Sequence, residues 1–185
     1  MKMFKKLMAV ALAGVMALAV LTGCGTSLNE KEIIRIFNDT LKTMAAEQAM
    51  AEKDVKIYSV KADSGMKEKA QSVAKIMATD VKDSTWMTQW GEKQDEIQKA
   101  VAGNDTTNHY WVGFAPKVKY DSKLYNTLDS GIDALSIIKN IEPISMNADY
   151  EAVDGAVSLI GFADTTINGV TYTVAVIKVP TQKKA

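Results

Sequence analysis

Hydrophobic and polar positions alternate along this chain with two different periods, and each period predicts different elements. Ile33, Phe37, Leu41, Met44 and Gln48 put a mostly apolar stripe on one helical face, with Glu30, Lys31, Asp39, Lys42 and Glu47 available for the other. This predicts a helix of about five turns or more, with Asn29 as its N-cap and Glu30 and Glu32 in its first turn. Val55–Val60 alternates and predicts a short strand, and Asp63-Ser64-Gly65 predicts a turn. Met66, Ala70, Val73, Met77 and Val81 return to helical spacing, and a third, more polar helix is expected from about Trp86 to Val101, ending at Gly103.

The second half changes character. Gly103–Asn108 is a turn-forming cluster, and Tyr110–Phe114 predicts a strand. Asp121 or Ser122 could cap a helix bearing Leu124, Leu128, Ile132, Leu135 and Ile138, with Pro143 ending that region. Ala156–Ala163 and Val170–Val179 are rich in Val, Ile, Tyr and Thr, and Asn168-Gly169 between them is a type I′ hairpin signal. Thr171, Thr173 and Ala175 alternate with Tyr172, Val174 and Val176, which predicts one buried face. Helices first and a hairpin last predict an α+β domain over residues 29–185, with N-terminal helices, a small antiparallel sheet and a C-terminal β-hairpin, compatible with an α-β-α sandwich.

The start of the chain follows neither period. Lys2, Lys5 and Lys6 precede the uncharged run Leu7–Leu21, then Leu21-Thr22-Gly23-Cys24. These are the n-region, h-region and cleavage site of an export signal. As a helix the 15-residue run spans about 22 Å, short of the roughly 30 Å hydrocarbon core, so a permanent span is disfavoured. Leu21-Thr22-Gly23-Cys24 resembles the lipobox of bacterial lipoprotein signal peptides. The resemblance implies that signal peptidase II recognises Leu21, Thr22 and Gly23 and cuts before Cys24, whose thiol carries a diacylglyceryl group. Two acyl chains give stable anchoring where one gives marginal binding. Residues 1–23 are then the signal peptide, 24–28 the lipidated cysteine and a short tether, and the expected location is the extracytoplasmic face of the cell membrane.

Charge and composition mainly exclude. The 185 residues carry 22 basic and 22 acidic side chains, one His and one Cys. Removing residues 1–23 with their three lysines leaves 162 residues, with 19 basic against 22 acidic. No basic patch is offered to nucleic acid, and attraction to an anionic bilayer is not the docking force. One Cys and one His supply neither a disulfide nor a multi-histidine metal centre, so no metal and no cofactor is assigned. The partners expected are the membrane, through the lipid on Cys24, and a cell-wall polymer or an envelope protein.

Candidate chemistry is sparse. His109, at a loop-to-strand boundary, is placed where a catalytic base could sit, yet no nucleophile motif accompanies it. It is read as a surface or packing histidine, and no catalytic residue is assigned. Trp86, Trp90, Tyr110 and Trp111 gather large aromatic surface into one third of the chain; with His109 they are the candidate ligand-binding residues, the competing reading being that they fill the core. Asp149, Glu151 and Asp154, and separately Asn104, Asp105 and Asn108, lack calcium-loop spacing and are read as solvated turns.

Three stretches carry a further resemblance. Lys67–Ala78, Asn147–Tyr150 with Ile160–Ala163, and Gly169–Ile177 are similar to a helix and the last two strands of the CAP (SCP-like) superfamily, which implies an α-β-α sandwich. That family's paired histidines and acidic cluster are missing, so none of its functional residues carries over. The expected role is therefore binding or envelope structure. A divergent CAP-like domain without that site, and a carboxylate-dependent envelope hydrolase, are the alternatives.

Overall fold

The computed structural model describes residues 28–43, 56–117 and 134–184. The leader, the lipobox, the tether up to Ser27, and the predicted helix from Asp121 as far as residue 133 lie outside the described residues.

The α+β class holds, with a mixed sheet. Helix α1 (Leu28–Leu41) is followed by β1 (Ser59–Ala62), α2 (Ser64–Met77), α3 (Trp86–Val101) and β2 (His109–Pro116). A helical stretch over 134–139, α4, precedes β3 (Glu142–Ser145), β4 (Tyr150–Ala152), β5 (Val157–Ile167), β6 (Val170–Val179) and β7 (Thr181–Lys183). Five strands form one sheet in the order β1-β5-β6-β2-β3, while β4 and β7 pair as a separate antiparallel ribbon. All pairings in the large sheet are antiparallel except β1 with β5, which run parallel from Ser59↔Val157 to Ala62↔Ile160. The expected antiparallel sheet is corrected accordingly. A parallel pair needs a long crossover, and α2, α3, β2, α4, β3 and β4 all intervene.

Both faces of the sheet are buried, where the alternation in β6 predicted one. Period two sends Ala175, Ile177 and Val179 to one core with Ile33, Phe37, Leu41, Ala134, Ile137 and Ile138, so α1 and α4 cover that face. Val174 and Val176 join Met66, Val73, Met77, Trp86, Ile97 and Val101 on the other, covered by α2 and α3. The result is an α-β-α layering.

Local chemistry explains most element ends. Asp63, expected in a turn, is the N-cap of α2, its side chain accepting from the Met66 N–H at 2.9 Å. Thr85 caps α3, and Gly103 follows its end at a φ of 57°, donating to the Lys99 carbonyl. Asn168 and Gly169, at φ 48° and 77°, make the tight β5–β6 turn that Asn-Gly predicts.

Other boundaries differ. Asn29 lies inside α1, not at its cap, and α1 ends at Leu41, with Met44 and Gln48 outside the described residues. The first strand is Ser59–Ala62 instead of Val55–Val60. Val81 falls beyond α2 and is exposed, as is Leu135 on α4. Pro143 sits within β3, which the edge position allows because a proline there needs no outward N–H partner.

Candidate functional site

The five residues expected to form a ligand surface are divided by the sheet. Trp86 and Trp90 stack one turn apart on α3, their ring centroids 6.2 Å apart, and Trp86 stacks on Phe114 at 4.2 Å. Both tryptophans are buried in the α2/α3 core with Tyr110. Trp111 is buried in the opposite core. Adjacent strand residues point to opposite faces, so Tyr110 and Trp111 cannot share a surface. Trp86, Trp90 and Tyr110 are thus packing groups, which corrects the single aromatic surface considered above.

His109 and Trp111, two apart on β2, do come together. They line a cleft of about 480 Å³ at the end of the sheet where β2 begins and β6 finishes, beside the β4–β7 ribbon. Lys56, Asn147, Tyr150, Glu151 and Lys184 complete its polar lining. Of these five only Glu151 was weighed as a ligand on sequence grounds, and then for a cation; Lys56 and Lys184 lie far in the chain from the 147–151 segment and reach it only through the fold.

Asn147 organises this end. Its Nδ2 donates to the Thr106 carbonyl at 2.8 Å, and its Oδ1 accepts from the Asp149 N–H at 2.9 Å. Its carbonyl accepts from the Tyr150 N–H at 3.0 Å and from His109 Nε2 at 3.2 Å. Among the described residues no serine and no carboxylate is bonded to the His109 ring, so the cleft lacks a triad arrangement.

Across the sheet lies a polar knot that the turn-forming sequence only half revealed. Asp105 Oδ1 accepts from the Thr107 N–H and hydroxyl and the Asn108 N–H, and its Oδ2 accepts from Asn108 Nδ2 and the Tyr110 hydroxyl. Burial alone raises this carboxyl's pKa, but the bonds from Asn108, Thr107 and Tyr110 outweigh it and hold the group well below the usual carboxylate range. Burial and the bond to Asp105 push the Tyr110 phenol up. Asp105 is thus a satisfied structural group, where a solvated turn was expected. A second cleft of about 500 Å³ lies beside it and shares the Met146–Ala148 wall.

Among the described residues no cluster of three His, Cys, Asp or Glu side chains could hold a metal ion, and no helix is long and apolar enough to cross a membrane. Comparisons with family models, with curated proteins and with solved structures give no match for this chain.

Proposed function

We propose that this protein is an exported lipoprotein, held on the extracytoplasmic face of the cell membrane by a diacylglyceryl group on Cys24, and that it acts by binding a ligand in the His109 cleft. The observation that carries the reading is Leu21-Thr22-Gly23-Cys24 directly after a lysine-led, uncharged run. A thiol committed to a thioether also accounts for the single cysteine.

The path of α1 supports this reading. Glu30 pairs with Lys67 at 3.3 Å and Asn38 bonds Val60 on β1, so α1 is fixed to the domain along its length. Only Gly25, Thr26 and Ser27 separate Cys24 from Leu28, the first residue of α1, so a lipid on Cys24 would hold this helix close to the membrane.

The test is Cys24→Ser in the full chain, followed by membrane fractionation and labelling with a radioactive fatty acid. Loss of label, with either unprocessed precursor or release from the membrane, is the expected result. Label retained on the Cys24→Ser chain overturns the reading.

A further inference from the structure

The polar groups of the His109 cleft narrow the chemistry of its ligand, an inference that rests on reading the cleft as the binding site. A carbonyl oxygen only accepts, so the bond to Asn147 fixes the proton of the neutral His109 ring on Nε2. Nδ1 is then a lone-pair acceptor. It makes no hydrogen bond with a described residue, and it is not a buried orphan either: among the described residues those are Trp86 Nε1 and Ser158 Oγ. His109 is 7% exposed and lines the cleft, so an O–H or N–H of a bound ligand can meet Nδ1 there.

The charges add a second requirement. Lys56 and Lys184 line the same cleft, both exposed, and among the described residues neither has an ion-pair partner. The one carboxylate in the lining, Glu151, accepts from Gln182 Nε2 at 3.2 Å. The cleft is thus net positive on a chain with no excess of basic residues, which favours an anion. The half-buried Tyr150 ring gives a flat apolar contact beside these groups.

We propose that the cleft binds a carboxylate-bearing saccharide, with its carboxylate at Lys56 and Lys184, a ring hydroxyl donating to His109 Nδ1, and a sugar face against Tyr150. A neutral sugar leaves the two ammonium groups unanswered. An anion without an O–H or N–H leaves Nδ1 without a donor.

The test uses the full chain in detergent with ¹⁵N-labelled histidine, whose single residue reports the cleft directly. The probes are digalacturonate and its methyl ester, which share the same rings and hydroxyls and differ in the carboxylate charges and the ester methyl groups. Digalacturonate is expected to shift the His109 Nδ1 resonance. The ester should bind about tenfold more weakly, and Lys56→Gln or Lys184→Gln should weaken digalacturonate by about the same factor, the loss of one charge-assisted hydrogen bond. Lys82→Gln, outside the cleft, should leave the affinity unchanged. Equal affinity for acid and ester overturns the anionic class while leaving the cleft as a sugar site. No shift at His109 with either probe overturns the proposal outright, and the Cys24→Ser experiment still judges the lipoprotein reading separately.

Discussion

The Tyr110 hydroxyl donates to Asp105 Oδ2 at 2.8 Å, joining the first turn after α3 to the strand that follows it. The same carboxylate gathers the Thr107 and Asn108 donors, and Lys178 Nζ lies 3.8 Å from it. Both partners shift in the direction that keeps the bond: the Asp105 carboxyl is held ionised and the Tyr110 phenol protonated. A depressed carboxylate contributes stability that is complete above its ordinary value of 3.8 and lost as pH falls through the folded value below it. A raised phenol contributes stability that is complete below its ordinary value of 10.0 and lost as pH rises above it. The contribution of this pair should therefore be flat between these limits and fall on either side. Tyr110→Phe should lower it by about 2 kcal/mol at neutral pH and reduce the alkaline loss. Urea unfolding across pH checks this; an alkaline limb unchanged in Tyr110→Phe refutes it.

At Gly161 on β5 the sheet lies against the backbone of α2. A Cβ at this position would lie 2.0 Å from the Lys67 nitrogen and 2.2 Å from the Met66 carbonyl carbon, both backbone atoms that cannot rotate away. Gly161→Ala must push α2 off the sheet and should cost about 3 kcal/mol or more. Gly91, exposed within α3 and with nothing within 4 Å of its added Cβ, is the control. Gly91→Ala should stabilise by about 1 kcal/mol through helix propensity. Unfolding midpoints that move together in the two variants contradict the argument.

The buried tryptophans should respond as core residues. Trp86→Ala and Trp111→Ala empty opposite cores, and each is expected to lose about 3–5 kcal/mol. Trp86 has a further property: its Nε1 is buried and has no hydrogen-bond partner among the described residues. Trp86→Phe removes that N–H, relieving a desolvation penalty of about 1–3 kcal/mol, and should lose less than half as much as Trp86→Ala. Chemical denaturation of the variants reads these differences directly. Full stability in Trp86→Ala would return Trp86 to the candidate ligand residues.

The parts of this fold that were legible in the sequence are those whose cause is local. Trp86–Val101 reads as one helix because the glycine that closes it is nearby, and Asn168-Gly169 specifies its own hairpin. The β1–β5 pairing was not legible because Ser59 and Val157 meet across most of the chain and neither carries a mark of its partner. Strands of three residues such as Tyr150–Ala152 and Thr181–Lys183 are too short to show a period. The cleft was half visible. His109 and Trp111 were candidates because of their type, but Lys56, Asn147 and Lys184 become neighbours only through the fold.

Asn38 poses the last question, how an exposed sheet edge is kept from pairing with another chain. Among the described residues β1 is an edge strand that pairs with β5 alone. The Asn38 amide meets its open side as a strand would: Nδ2 donates to the Val60 carbonyl at 3.0 Å and Oδ1 accepts from the Val60 N–H at 2.7 Å. One side chain thus satisfies both backbone groups that Val60 would otherwise offer to a passing strand. Asn38→Ala should cost about 2 kcal/mol, one for each bond, and increase self-association as concentration rises. Asn38→Asp keeps the acceptor for the Val60 N–H but sets a carboxylate against the Val60 carbonyl, so it should destabilise to a similar degree while its charge opposes association. Thermal unfolding together with light scattering separates the two effects. An Asn38→Ala chain with the parent's midpoint and the parent's mass at every concentration would show that the edge is protected by something other than this amide.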